Sequence, residues 1–160
     1  MSQMRDIIEN QMAAYDRLGL RSPMHQLILN KGRDGKAAKL PRGIWRGPSK
    51  ACFENSAKLV LKMPELTYVE GYATNGVLAG YPFHHAWAED RDGNVIDATW
   101  ENPEEAGYFG VPFTAHELSR ELVLTGYYSL LYPNDMMNVK LAFRLDPSLE
   151  DMLPRTRRRA

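Results

Sequence analysis

Cysteine is almost missing from this chain: Cys52 is the only one in 160 residues. An internal disulfide is therefore excluded, and so are the paired-cysteine zinc spacings. Also missing is any apolar run long enough to cross a bilayer. The N-terminus carries no apolar stretch of the secretory type. These absences lead to the expectation of a cytoplasmic protein with no membrane partner. No internal repeat is visible. Net charge is lacking as well, since 20 Lys and Arg balance 20 Asp and Glu.

What charge there is lies unevenly. Residues 31 to 50 hold seven basic residues against Asp34, a net of +6. Residues 51 to 154 carry six basic and sixteen acidic residues, a net of −10, and the tail adds Arg155, Arg157, Arg158 and Arg159. Basic segments of this kind suit an anionic partner. No repeated aromatic interleaving and no nucleic-acid motif accompanies the charges. A basic arm that is solvated or lies against the acidic body is the simpler expectation.

At this length, one domain over residues 1 to 160 can bury a core. Met4, Ile7, Ile8, Gln11, Met12, Tyr15 and Leu18 follow a helical stripe that Gly19 ends. Residues 30 to 50, with Pro41 and Pro48, read as a long irregular arm. "GPSKACFENSAKLVLKMPE" predicts a helix capped by Ser49, with Phe53, Ala57, Val60 and Leu61 on its apolar face. Pro64 closes it. "LTYVEGYAT", "YPFHHAWAED" and "NVIDATW" predict strands of an antiparallel meander, with turn signals at Asn75-Gly76 and "RDG". A Gly/Pro-broken loop follows. "TAHELSRELVLTG" then opens on the capping box Thr114/Glu117 and closes at Gly126. "YYSLLY" has the composition of a short strand, and "VKLAFRL" suits strand or helix. The fold class expected is α+β, an antiparallel sheet packed on helices.

Cys52 falls in the first turn of the central helix, about three residues past its expected cap. Free N–H groups and the positive end of the helix dipole favour a thiolate there, and the same N–H groups suit an oxyanion. A cysteine kept for packing belongs on the Phe53/Ala57/Val60 stripe, and Cys52 is offset from it by roughly 100°. A thiol nucleophile needs a base and a group that orients the base. His84 and His85 are adjacent on one strand, so they point to opposite faces. Asp97 lies on the next strand. A three-residue loop, Arg91-Asp92-Gly93, sets Trp87 opposite Asp97 and gives His85 the Asp97 face. A two-residue loop, Asp92-Gly93, reverses the parity and gives that face to His84. Turn chemistry permits both. His25 and His116 have no partner pattern and are expected at the surface. Glu54 and Asn55 are expected in solvent, and Trp87 and Trp100 in the core or a pocket wall. No metal site is expected, because the paired histidines diverge and the acidic residues lack ligand spacing.

A helix-starting Cys, a strand ending in "EGY", then "HAW" and "DATW" resemble the transglutaminase-like core of the papain-like Cys-His-Asp superfamily. The resemblance covers about residues 47 to 100. It implies a central helix that starts at the nucleophile Cys52, with His85 as base and Asp97 as its orienter. "CFEN" within "WRGPSKACFEN" is also similar to arylamine N-acetyltransferases, which use the same triad. Their "RGGxC" motif is not matched, and this chain is much shorter. Many members of the superfamily place a Gln or Trp oxyanion donor upstream of the cysteine; Trp45 and Arg46 occupy that region here.

The activity implied is acyl transfer through a thioester, with hydrolysis of an amide or peptide bond preferred over transfer to an amine. Such chemistry needs a peptide or protein substrate and no cofactor. The competing expectation is an inactive binding module on the same fold, its basic arm engaging an anionic partner.

Overall fold

A computed structural model describes residues 2–152, so the basic tail at Arg155 and Arg157 to Arg159 lies outside the described residues. The first helix, α1 (Gln3–Arg17), is capped by the Ser2 hydroxyl, which accepts the Arg5 N–H, and it buries Met4 and Ile8. A second helix, α2 (Pro23–Lys31), runs where no element was expected, and it shortens the irregular arm at its start. Its signal is local: Ser22 caps it, and Pro23 takes a first-turn position where a missing N–H costs nothing. The arm then forms a two-residue edge strand, β1 (Arg33–Asp34), and is irregular only beyond it.

The central helix α3 (Cys52–Lys62) begins later than expected. Its cap is Ala51 and not Ser49, with no side-chain bond, so Cys52 is the first helical residue. Lys50 turns the chain into it at φ 62°, a left-handed conformation that L-residues seldom take. The helix ends at Lys62, before Pro64.

The sheet strands are β2 (Thr67–Thr74), β3 (Phe83–Glu89), β4 (Val95–Ile96) and β5 (Gly107–Phe113). Strand β5 occupies the segment read from sequence as a broken loop. It pairs with β2 along its whole length, while β1 pairs only with Phe109 and Gly110. Pro112 therefore lies beyond the end of the β1 ladder, where a missing N–H is tolerated. The order is β1-β5-β2-β3-β4, antiparallel throughout.

This sheet curls until its two edges meet. After β1, the Lys36 N–H donates to Gly93 O (3.0 Å) and Lys36 O accepts the Val95 N–H (2.8 Å), linking the arm to β4. Strand alternation then separates an inside from an outside. Inside lie Val69, Ala73, Trp87, Val95, Ala106 and Tyr108. Outside, Tyr68, Tyr72, Ala86, Ala88, Phe109, Val111 and Phe113 pack under the helices. Gly71 and Gly110 face each other across β2 and β5. A Cβ on Gly110 would come within 2.8 Å of the Trp87 ring, so the glycine leaves room for the indole. At the closed end, buried Glu89 accepts from Arg33 (2.7 Å) and from Trp87 Nε1 (3.1 Å).

Helix α4 (Ala115–Thr125) has the expected capping box and a left-handed Gly126 at φ 76°. "YYSLLY" is not a strand. The N–H groups of Leu130 and Leu131 donate to the Glu70 carboxylate (2.7 and 3.1 Å) and so have no ladder to join. "VKLAFRL" resolves as helix α5 (Val139–Leu145), capped by Asn138. Among the described residues, no helix is long and apolar enough to cross a membrane.

Candidate active site

The β3–β4 hairpin decides between the two histidines. Glu89 pairs with Val95 and Ala88 with Ile96, and the Asp90 N–H donates to Asn94 O (3.1 Å). The loop is therefore Arg91-Asp92-Gly93, with Gly93 left-handed at φ 78°. That parity sets Trp87 against Asp97 and gives His85 the inner face. His84 takes the outer face, beside Phe53, Tyr72 and Tyr132. Its Nε2 lies 3.2 Å from Glu70 Oε1, out of line for a hydrogen bond.

Asp97 stands just past the end of β4, fully buried, and each of its acceptors is used. Oδ2 receives His85 Nε2 (2.8 Å) and the Tyr108 hydroxyl (2.9 Å). Oδ1 receives the N–H groups of Thr99 (2.9 Å) and Trp100 (3.3 Å). Burial pushes the Asp97 carboxyl up, but His85, Thr99 and Tyr108 together hold it below its ordinary value. Burial and the Asp97 charge both raise the Tyr108 phenol, which keeps it a donor.

His85 is 3 % exposed and stacks on Trp100, with ring centroids 4.1 Å apart. Nε2 is committed to Asp97, and the Cys52 side chain lies close enough to the ring to raise its pKa. Burial alone would lower its pKa. Hydrogen bonds to Asp97 and Cys52 outweigh burial and hold the pKa at about 9. The imidazole is therefore protonated at neutral pH.

Helix α3 brings the sulfur to this ring. Ser56 Oγ donates to Ala86 O (3.0 Å), which ties the helix to β3 one residue from His85. The first backbone bond of α3 runs from Asn55 N–H to Ala51 O (2.8 Å), so the N–H groups of Cys52, Phe53 and Glu54 precede the helical ladder. They lie at the positive end of the helix dipole, beside the sulfur.

Cys52, His85 and Asp97 thus come together from three elements. The other residues singled out in the sequence divide. His25 is not a surface residue: it is 3 % exposed, donates to Gln11 Oε1 (2.6 Å) and stacks on Tyr72. His116 is exposed. Asn55 is half-buried and bonded. Its amide bridges Pro48 O (2.9 Å) and Thr99 Oγ1 (3.0 Å), joining the arm, α3 and the Asp97 loop. Glu54 faces solvent and pairs with Lys58. Trp45 is 90 % exposed, and Arg46 donates to Glu101 O (3.0 Å).

Tyr108 was missed from sequence, because the strand that carries it was read as loop. Among the described residues, no three His, Cys, Asp or Glu side chains gather in a way that could hold a metal ion. No family model, curated protein or solved structure matches the chain.

Proposed function

We propose that the chain is a cysteine-dependent acyl-transfer enzyme that hydrolyses an amide or peptide bond through an acyl-thioester. One observation carries this reading: His85 is hydrogen-bonded to the buried Asp97 carboxylate and lies within the influence of the Cys52 side chain. A histidine serving only as packing has no need of a buried carboxylate on its ring and a thiol beside it.

In the proposed reaction, the proton of Cys52 already resides on His85, and Sγ attacks the carbonyl carbon as the thiolate. The carbonyl oxygen becomes an oxyanion, to which the free N–H groups at the start of α3 donate. The C–N bond then breaks, and His85 gives its proton to the departing nitrogen. Water attacks the thioester carbon, His85 takes the water proton, and the C–S bond breaks to release the acid. The thiolate is left beside protonated His85, as at the start. Asp97 keeps the ring aligned and stabilises its positive charge, and Tyr108 fixes the carboxylate. An amine in place of water would give transglutaminase-type transfer by the same steps.

The test is labelling by electrophilic peptides at neutral pH, with turnover of matching peptide amides. Label is expected on Cys52. His85→Ala is expected to cut turnover by at least about a hundredfold with the fold retained, and His84→Ala far less. Equal labelling of wild type and His85→Ala would instead favour a binding module that uses no thiol chemistry.

A further inference from the structure

The arm from Arg42 to Pro48 runs beside α3, and the two enclose a groove of about 640 Å³. This is a ligand-sized space by the general range for protein pockets. Ile44, Leu59 and Met63 form its apolar floor, each half-buried against the core. Trp45 stands at the rim with 90 % of its surface exposed. An exposed indole beside an apolar floor is the usual chemistry of an interaction surface.

The rim is cationic. Lys58 and Glu54 pair with each other on it, and Arg42 and Lys62 supply its net charge. The groove also leads toward the triad. The Gly47 N–H donates to Ala98 O (2.7 Å) at its end, and Ala98 follows Asp97 directly. Pro48, four residues before Cys52, forms part of the same wall.

We propose that this groove docks an acidic protein segment that carries apolar side chains, with the apolar groups on the floor and the carboxylates on the rim. A nucleic acid would match the cations but leave the apolar floor without a partner. That this segment belongs to the substrate of Cys52 rests on the proposed function; the docking itself does not.

The experiment uses Cys52→Ala protein, so binding is read apart from chemistry. A fluorescent synthetic peptide of Glu, Asp, Leu and Phe is titrated by anisotropy. Its comparisons are a Gln/Asn version, a version with Ser in place of Leu and Phe, and a labelled oligothymidine. Saturable binding of the acidic apolar peptide is expected. Both altered peptides, and the Trp45→Ala and Arg42→Glu/Lys62→Glu variants, are expected to weaken it about tenfold or more. Arg91→Glu, in the β3–β4 loop, should leave it unchanged and excludes a net-charge effect. No saturable binding, indifference to Trp45→Ala, an equal loss in Arg91→Glu, or tighter binding of oligothymidine would each overturn the proposal. Failure of Cys52 labelling with intact peptide binding would instead count against the chemistry alone.

Discussion

The protonated state of His85 should be visible as a pH dependence of stability. In the folded chain its pKa is about 9, against 6.5 for an unperturbed histidine. The unfolded chain therefore releases this proton near the lower value and the folded chain near the higher one. Between them the folded state binds more protons, so stability falls as pH rises. The stabilisation is fully present below 6.5 and lost once pH passes 9. The ring is 3 % exposed, so solvent screening discounts the effect little. At about 1.36 kcal/mol per pH unit, the whole difference is worth about 3 kcal/mol.

Urea denaturation in steps from pH 6 to pH 9.5 would read that loss, with the His85 ring followed in parallel by NMR. Asp97→Asn should move the NMR midpoint down further than Cys52→Ala, because the Asp97 hydrogen bond is the larger of the two upward influences. His85→Gln should remove the slope. A flat stability profile across this window, or an undiminished slope in His85→Gln, would refute the assignment of the charged imidazole.

Three further outcomes are expected. Burial holds His25 at about 4, so its contribution is present above 6.5 and lost as pH falls toward 4; His25→Gln should flatten urea stability in that window. Glu70 accepts from Tyr68, Ser129, Leu130 and Leu131, and Glu70→Gln should cost about 2–4 kcal/mol and speed amide exchange at Leu130 and Leu131. A Cβ on Gly71 would sit 2.3 Å from Phe109 O and 2.4 Å from Gly110 Cα, both backbone atoms. Gly71→Ala should thus cost about 3 kcal/mol or more in thermal melts, and a near-neutral change would show that the sheet can open there.

Glu70 also illustrates a limit of reading strands from composition. Its carboxylate takes the Leu130 and Leu131 N–H groups that a strand would have offered a ladder. Such competition comes from 60 residues away in sequence, and no local pattern in "YYSLLY" carries it. Strand β5 was hidden for a related reason. Its Gly110 and Pro112 look like breakers, yet Gly110 makes room for Trp87 and Pro112 lies past the short β1 ladder.

Features set by neighbours in the chain were legible without a structure. Thr114 with Glu117 and Gly126 marked both ends of α4, and Pro64 marked the end of α3. The left-handed preference of Gly93 permitted the loop that puts His85 on the Asp97 face, although turn chemistry alone also allowed the other parity. Tertiary structure decided the rest. Closure of the sheet through Lys36, the Tyr108 hydroxyl on Asp97, the Asn55 bridge and the burial of His25 all join residues distant in sequence. Caps and turns draw their energy from adjacent residues, so sequence alone marked both ends of α4, though not the α3 cap at Ala51 or the choice of β3–β4 loop. Burial and charge depend on which distant side chains arrive, and only the folded chain supplies those.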